Sequence, residues 1–360
     1  MTAGDPRIFY FCYQHNIPRG GQKHTYRHVD ILNANGFDAA VFHPGEDFRL
    51  TWFENQTRVI GYSEFIRAIN PDRDFVVLPE DLGGGITDFP GRKVIFNKNT
   101  FKGFECFGTD EIHLYPYQSL EVVAAFAVSE HNQRQLQFTY PDLQVEKVDI
   151  EIDPAIFSFC ALEKKAPIIV CAMKSKEILL PVYHMVQARA AANLNRGREF
   201  QWVFLDHYSE QETARILHDA LLFLFLNVAE GIGRMPLEAM ASGCIVASYD
   251  YGPLGEALKA RSRFEYGDPI SVVKFIEEVM ALYPTVSQER ILELEEGREI
   301  ATHYSLANQE AGVMSAWKRI LSRAMNSRNT GQTNPSQSRL DSLLHYPYAS
   351  LSKEASSDSR

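Results

Sequence analysis

The most informative part of the sequence reads Ala229-Glu-Gly-Ile-Gly-Arg-Met-Pro-Leu-Glu-Ala-Met-Ala-Ser-Gly-Cys-Ile-Val-Ala-Ser248. The apolar run Leu222–Leu226 before it predicts a buried strand, Pro236 favours the first turn of a helix, and Gly243 predicts the end of that helix. Backbone N–H groups of the loop and of the helix start then face one point. The two loop glycines would let an anion such as a diphosphate approach these groups closely. The pattern therefore predicts an anion site at the end of a strand in an α/β fold.

Two carboxylates, Glu230 and Glu238, flank this loop and can accept hydrogen bonds from hydroxyl groups on both sides of the anion. Their spacing resembles the E-x7-E signature of the retaining glycosyltransferases of family 4, and the small residues at 239–243 are similar to that family too. The resemblance implies the GT-B architecture, in which two Rossmann-like parallel-sheet domains face each other across a cleft. It also implies that Glu230 is catalytic and contacts the donor sugar, while Glu238 contacts the ribose.

The same resemblance implies a wider set of donor-binding residues in the loop, in the helix after it and behind the first strand. These are Gly231, Ile232, Gly233, Leu237, Gly20 and Gly21. A plainer interpretation of the loop is an ordinary strand–loop–helix unit whose two glutamates are solvated helix-end charges. For the Gly-Gly pair the plainer interpretation is a simple tight turn.

Cations are expected after the apolar run Pro167–Ala172, where members of this family usually have an arginine and a lysine. This chain has Lys174 and Lys176, which stand closer together than the usual pair, and Lys176 could equally be a solvated loop residue. Without a metal, such cations would stabilise the negative charge on the departing nucleoside diphosphate. No metal and no cofactor are expected, since Asp72-Arg-Asp74 precedes its strand whereas the metal-binding D-x-D motifs of transferases follow one.

The first half of the chain departs from the family at Asn97, where many members have a histidine facing the donor sugar. Asn97 can donate to a sugar hydroxyl but cannot carry a proton, and we assign it to the catalytic site on this basis. Glu80 and Asp81 are interpreted as solvated loop acids, although either could supply a carboxylate near the acceptor. His24 and His28 are four residues apart on a predicted helix, and solvated or capping roles are expected for them.

Short apolar runs recur in two series, which predicts two parallel sheets with helices on both faces. The runs are Ile8–Tyr13, Ala39–Phe42, Phe75–Leu78, Lys93–Phe96 and Phe126–Ser129 in the first series, and Pro167–Ala172, Trp202–Leu205, Leu222–Leu226 and Cys244–Ser248 in the second. We expect an acceptor-side domain at 1–160 and a nucleotide-sugar domain at 161–305. A helix at 306–325 is expected to cross back to the first domain, and a disordered tail is expected at 326–360.

Composition excludes several classes of function. The 360 residues carry a formal net charge of −10, which argues against binding of nucleic acid. Five scattered cysteines without a C-x-x-C pair predict reduced thiols, mostly in cores. The N-terminus lacks the features of a signal peptide and the longest apolar run is about half of the roughly 20 residues that span a bilayer, so a cytoplasmic protein is expected. Peripheral contact with a membrane stays open.

The sequence therefore predicts a glycosyltransferase that moves a sugar from a nucleotide diphosphate donor to a hydroxyl acceptor, which is a glycan, a lipid-linked glycan or a small molecule. Two alternatives remain at this point. One is a nucleotide-sugar epimerase or hydrolase on the same fold. The other is a catalytically silent binding or scaffold protein.

Overall fold

The computed structural model describes residues 5–105, 107, 115–194 and 199–326. The tail expected at 326–360 therefore lies outside the described residues, except for its first residue. No helix in the described part of the chain has the length and apolar character needed to cross a bilayer. The helices are α1 Gly20–Ala34, α2 Tyr62–Ala68, α3 Lys102–Glu105, α4 Glu130–Thr139, α5 Lys176–Ala191, α6 Glu210–Asp219, α7 Arg234–Ala241, α8 Pro269–Leu282, α9 Gln288–His303 and α10 Leu306–Asn326.

The first sheet has seven strands in the order β3-β2-β1-β4-β5-β6-β7, and all of its paired strands are parallel. Its strands are apolar along almost their whole length because helices cover both faces of a parallel sheet. The strands are β1 Ile8–Phe11, β2 Ala39–Phe42, β3 Val59–Ile60, β4 Phe75–Pro79, β5 Arg92–Asn97, β6 Val122–Ala127 and β7 Val145–Lys147.

The second sheet has five parallel strands in the order β12-β11-β10-β8-β9. These strands are β8 Ala166–Ala172, β9 Gln201–Leu205, β10 Ala220–Phe225, β11 Ile245–Tyr249 and β12 Arg263–Phe264. The chain thus repeats one architecture twice, and the predicted α/β class with two parallel sheets is confirmed. In sheets of this kind ligands bind beyond the carboxyl ends of the strands, where the strand order reverses.

Most predicted strands match the observed ones within two residues, and the run Phe126–Ser129 is the exception, because the observed strand already begins at Val122. The strand there ends at Ala127, because Ser129 caps the start of α4 and its side chain accepts a hydrogen bond from the backbone N–H of Asn132. The helix predicted to carry His24 and His28 is confirmed as α1, with Gly36 just after it at a φ of +84°.

Helix α10 returns to the first sheet after the chain has completed the second. Its Trp317 is fully buried, and the indole Nε1 donates to the hydroxyl of Tyr10 in β1 at 3.1 Å. The rings of Phe75 and Phe126 pack edge-on against this indole. These aromatic contacts therefore fix α10, the last helix of the described chain, to the first sheet.

The thiols described by the structure are free and buried, as the sequence predicts; they are Cys12, Cys160, Cys171 and Cys244. Burial raises the pKa of Cys12 to about 12, which keeps its thiol protonated. Cys106 lies outside the described residues.

Candidate active site

Lys174 and Glu230 meet at the carboxyl edge of the second sheet. Lys174 follows β8 and Glu230 follows β10, and because these strands are parallel neighbours their ends lie side by side. Lys174 Nζ lies 2.5 Å from Glu230 Oε1, and Asn227 Nδ2 donates to the same oxygen at 3.0 Å. The side chain of Lys174 is 51% exposed and that of Glu230 is 18% exposed. The pair can be reached from solvent while the glutamate is held in one orientation.

Glu238 is buried and bonded to Arg234, one turn earlier in α7. Arg234 Nε donates to Glu238 Oε1 at 2.5 Å, and Arg234 Nη1 donates to Glu151 Oε1 at 3.2 Å. Glu151 lies in the segment that joins the two sheets and is completely buried. The guanidinium therefore links the second carboxylate of the signature to the segment between the two halves of the molecule. The first half contains the seven-stranded sheet, and the second half contains the five-stranded sheet.

The first turns of α1 bring further charges to this place. Lys23 Nζ lies 2.5 Å from Glu210 Oε1 at the start of α6, and His24 Nδ1 lies 2.9 Å from Glu151 Oε2. Burial lowers the pKa of His24 despite the opposing effect of Glu151, so the ring is neutral at pH 7 and donates to the carboxylate. Burial alone would raise the pKa of Glu151, but Arg234 and His24 hold it well below its usual range. Both halves of the molecule thus share one buried network of charges.

The expected exposure of His24 and His28 is wrong, because both are buried. The ring of His28 stacks on Phe96 at 4.7 Å between centroids, and its Nδ1 lies 3.3 Å from the hydroxyl of Tyr10. Burial lowers the pKa of His28 to about 3. Both residues lie on the face of α1 that packs on the rest of the protein. The sequence did not predict this burial, because histidine is a polar residue.

The loop after β10 contacts the first half of the molecule. Asn99 Nδ2 donates to the backbone oxygen of Ala229 at 2.7 Å, and Thr100 Oγ1 donates to that of Glu230 at 2.8 Å. Both donors follow β5, whose last residue is Asn97. The end of a first-sheet strand therefore holds the backbone of the loop that carries the candidate catalytic glutamate.

Glycine is required at position 231 by the closeness of this contact. A Cβ atom there would lie 2.3 Å from the backbone oxygen of Lys98 and 2.6 Å from Cγ2 of Val128. The loop glycine thus permits close approach of the two halves, in addition to any approach of a ligand.

Gly233, Ile232 and Leu237 lie on the inner side of the same loop and helix. Gly233 has a φ of +83°, and a Cβ there would lie 2.5 Å from the hydroxyl of Tyr251. That hydroxyl donates to the backbone oxygen of Ile232 at 3.1 Å. The side chains of Ile232 and Leu237 are buried in the hydrophobic core, so a donor contact at these two positions would come from the backbone.

Gly20 and Gly21 form the start of α1 and face two different cations. A Cβ at Gly20 would lie 3.1 Å from Cδ of Arg234, and a Cβ at Gly21 would lie 3.3 Å from Cδ of Lys98. The absence of side chains here leaves room for Arg234 to reach across from the second half.

Lys176 takes no part in the pair formed by Lys174 and Glu230. It begins α5, its side chain is 55% exposed, and its Nζ lies 4.0 Å from Asp206 Oδ2. The two predicted lysines therefore face different acids, and Lys174 is the one that lies beside the signature glutamate Glu230.

Asn97 is buried at the end of β5, where its Nδ2 donates to the hydroxyl of Tyr117 at 3.1 Å. Glu80 follows β4 and is only 3% exposed, so its interpretation as a solvated acid is wrong. The register that pairs Pro79 with Phe96 places Glu80 and Asn97 next to each other. Glu80 Oε2 and Asn97 Oδ1 are buried and make no hydrogen bond to any residue that the structure describes. Asp81, in contrast, is partly exposed and accepts a hydrogen bond from the hydroxyl of Tyr13 at 2.8 Å.

Two surface depressions in the described part of the chain lie away from Glu230 and Glu238. One of about 610 Å³ runs along α10, and a much smaller one adjoins Met240 and Glu296. The loop after β10 touches the first half directly and Arg234 is bonded to Glu151, so Glu230 and Glu238 lie beside the contact between the two halves. Within the described ranges, no group of three or more His, Cys, Asp or Glu side chains is arranged to hold a metal ion.

Sequence reasoning missed Arg234 as a member of the site, together with its partners on other elements. Arg234 stands inside the quoted motif, but the motif gives no sign that Glu151 and Glu210 lie beside it. The one available signal was the i, i+4 spacing of Arg234 and Glu238 on a predicted helix. The sequence Ser209-Glu-Gln-Glu212 has the S-x-x-E spacing that predicts a capping box, and the structure confirms this box at the start of α6.

No family model matches the chain. The sequence is 24% identical over 249 residues to an alpha-1,6-glucosyltransferase of Actinobacillus pleuropneumoniae serotype 7 (strain AP76), which covers 67% of this chain and 72% of that protein.

Two solved structures superpose on most of the chain. The Anabaena protein Alr3699/HepE in complex with UDP matches with a TM-score of 0.60 and 12% identity, over 87% of this chain and all of that one. The pneumococcal O-GlcNAc transferase GtfA in complex with UDP and GlcNAc matches with a TM-score of 0.58 and 8% identity, over 90% of this chain and all of that one. The chain has the GT-B fold. The sequence relative and this fold together support the expectation of a glycosyltransferase.

Proposed function

We propose that the protein transfers a sugar from a nucleoside diphosphate sugar to a hydroxyl acceptor, with retention at the anomeric carbon and without a metal. The observation that carries the proposal is the pairing of Glu230 with Lys174 at the carboxyl ends of β10 and β8. This places one carboxylate and one cation at the switch point of the second sheet, opposite the end of a first-sheet strand. The carboxylate suits sugar hydroxyls, and the cation suits the departing diphosphate.

UDP-glucose is the first donor to test. The matched Anabaena and pneumococcal structures both contain UDP, and the curated sequence relative is a glucosyltransferase. These properties of similar proteins decide which nucleotide sugar is tested first. GDP-, ADP- and dTDP-sugars complete the screen.

Each residue of the proposed site has its own role in binding or catalysis. Glu230 accepts from hydroxyls of the donor sugar, and Glu238 accepts from the ribose once Arg234 releases it. Lys174 stabilises the negative charge that grows on the diphosphate as the glycosidic bond breaks. Asn97 and its neighbours at the end of β5 face the sugar from the acceptor side. Closure of the two halves then excludes water, which would otherwise compete with the acceptor.

Retention follows from the resemblance of the E-x7-E signature to family 4. In the front-face substitution usually proposed for that family, the leaving phosphate helps to take the proton of the acceptor hydroxyl, so an additional enzymic base is not required. A hydrolase on the same fold would bind the donor in the same way and use water instead. We favour the transferase, because the curated sequence relative is a glucosyltransferase.

The test is the release of nucleoside diphosphate from the donor panel, with and without sugar acceptors and with EDTA. We expect acceptor-dependent release that EDTA leaves unchanged. Glu230→Gln is expected to lose transfer by about 100-fold or more while its melting temperature stays near that of the wild type. The control is Glu265→Gln, a change at an exposed glutamate, which should retain activity. Wild-type turnover in Glu230→Gln would refute the assignment, and release that needs no acceptor would favour the hydrolase.

A further inference from the structure

Each glutamate of the E-x7-E signature carries a cation of its own. Glu230 is paired with Lys174, and Glu238 is paired with Arg234, each at 2.5 Å. A donor that binds Glu230 and Glu238 through neutral hydroxyl groups would release both cations from their carboxylates. Two released cations match the two negative charges of a diphosphate.

Arg234 lies where the second of these cations is needed. Its Cδ lies 3.1 Å from the Cβ position of Gly20, so the side chain runs between the Gly-Gly start of α1 and the carboxylate of Glu238. Its side chain is only 12% exposed. Both features belong to the donor-binding residues that the family resemblance implies.

The guanidinium also keeps one nitrogen free for a ligand. Nε and Nη1 are bonded to Glu238 and Glu151, whereas Nη2 makes no hydrogen bond to any described residue. Nη2 lies 3.5 Å from Glu210 Oε1, but the geometry is not that of a hydrogen bond, and Glu210 is already paired with Lys23. A buried guanidinium N–H without an acceptor is costly, and a phosphate oxygen is the strongest acceptor that could satisfy it.

Lys176, the alternative from the sequence, has none of these properties. It is largely exposed, and the acid beside it is Asp206, which does not belong to the buried charge network. A flexible, hydrated lysine of this kind contributes little to the binding of a buried anion.

We propose that Arg234 is the second diphosphate-binding cation of this enzyme, together with Lys174, and that it exchanges Glu238 for the donor phosphate when the donor binds. This inference rests on the proposed function, because it assigns a partner within the same donor site. Both side chains keep hydrogen-bonding partners in the exchange, since Glu238 gains ribose hydroxyls as Arg234 gains phosphate oxygens. Glu151 remains bonded to His24 and to Gln309 Nε2, which donates to it at 3.0 Å, and it holds the guanidinium in place throughout.

The experiment measures the binding of UDP and of uridine to the wild type and to three variants by calorimetry. If the donor screen selects another base, the matching diphosphate and nucleoside replace them. Arg234→Met removes the charge and keeps the apolar stem. Arg234→Lys keeps a charge in the buried network, and so protects folding, but removes the planar fork of nitrogens. Lys176→Met is the matched control.

Arg234→Met is expected to weaken UDP binding by about 10- to 100-fold and to leave uridine binding within about threefold. Arg234→Lys should lose a smaller part of the UDP affinity, and Lys176→Met should stay within about twofold for both probes. Unchanged UDP affinity in Arg234→Met, or equal losses for UDP and uridine in both Arg234 variants, would overturn the inference and leave the proposed function standing. Failure of the wild type to bind any nucleoside diphosphate would overturn the proposed function itself.

Discussion

Replacement of Glu80 by glutamine is expected to change how the stability of the protein depends on pH. Glu80 lies at the end of β4 and is 3% exposed; its Oε1 accepts from the backbone N–H of Lys98 at 2.9 Å. Burial raises the pKa of this carboxyl to about 7, with Lys98 lowering it and Asp81 raising it. The remaining oxygen has no donor among the described residues, which a protonated carboxyl tolerates better than an ionised one.

The magnitude follows from the two pKa values. A pKa of about 7 in the folded protein against 4.5 in the unfolded chain corresponds to about 3 kcal/mol. Because the folded state holds the proton more tightly, the group disfavours folding only when it is ionised. Below pH 4.5 both states are protonated and nothing is lost. Between pH 4.5 and 7 the free energy of unfolding falls as pH rises, and above pH 7 the full loss of about 3 kcal/mol persists.

Glutamine imitates the protonated carboxyl, so Glu80→Gln removes this loss. Urea unfolding of the wild type and of Glu80→Gln, followed from pH 4.5 to 8, gives the difference in stability at each pH. The other titrating groups are common to both proteins and cancel in this difference. We expect the variant to gain about 3 kcal/mol relative to the wild type between the two ends of the range.

The control is Glu54→Gln, a change at an exposed glutamate, whose stability curve should run parallel to that of the wild type. A constant difference between Glu80→Gln and the wild type over the whole pH range would show that Glu80 is ionised in the folded protein. In that case the reasoning from burial is refuted.

Three further changes test packing and hydrogen bonding. Gly231→Ala places a Cβ 2.3 Å from the backbone oxygen of Lys98, so it should cost about 1–3 kcal/mol of stability in urea unfolding and reduce transfer; unchanged stability contradicts the close contact. Ser209→Ala removes the capping box of α6 and should cost about 1 kcal/mol, read as a fall in melting temperature, with Ser287→Ala, whose side chain caps no N–H, as the control. Lys165→Met leaves three backbone carbonyls without their ammonium donor and should cost about 3 kcal/mol or more in urea unfolding, so a loss under about 1 kcal/mol would argue against these bonds.

The sequence predicted the parallel sheets because their strands are buried on both faces and are apolar almost throughout. It also predicted the capping box of Ser209, since that motif is local. The pairing of Lys174 with Glu230 could be anticipated only in part, because it depends on β8 and β10 being neighbours in the sheet. Strand order is a property of the tertiary structure, and the pattern of apolar runs does not predict it.

The main error of the sequence-based predictions was to place buried polar residues in solvent. Glu80 and His28 were expected in solvent because their types are usually exposed, yet packed elements cover both. Arg234 was passed over for a related reason, since Glu151 lies 83 residues away and meets it only in the folded molecule. Whether a charged residue is buried depends on partners that come from distant parts of the chain.

The hydrogen bonds that Asn99 and Thr100 send across the molecule end on main-chain oxygens. Every amino acid offers such an oxygen, so exchange of the side chain at Ala229 leaves this docking in place. Position 229 can therefore acquire new side chains, and with them new sugar preferences, without redesign of the half that receives the loop. This makes the segment a natural target for engineering donor choice.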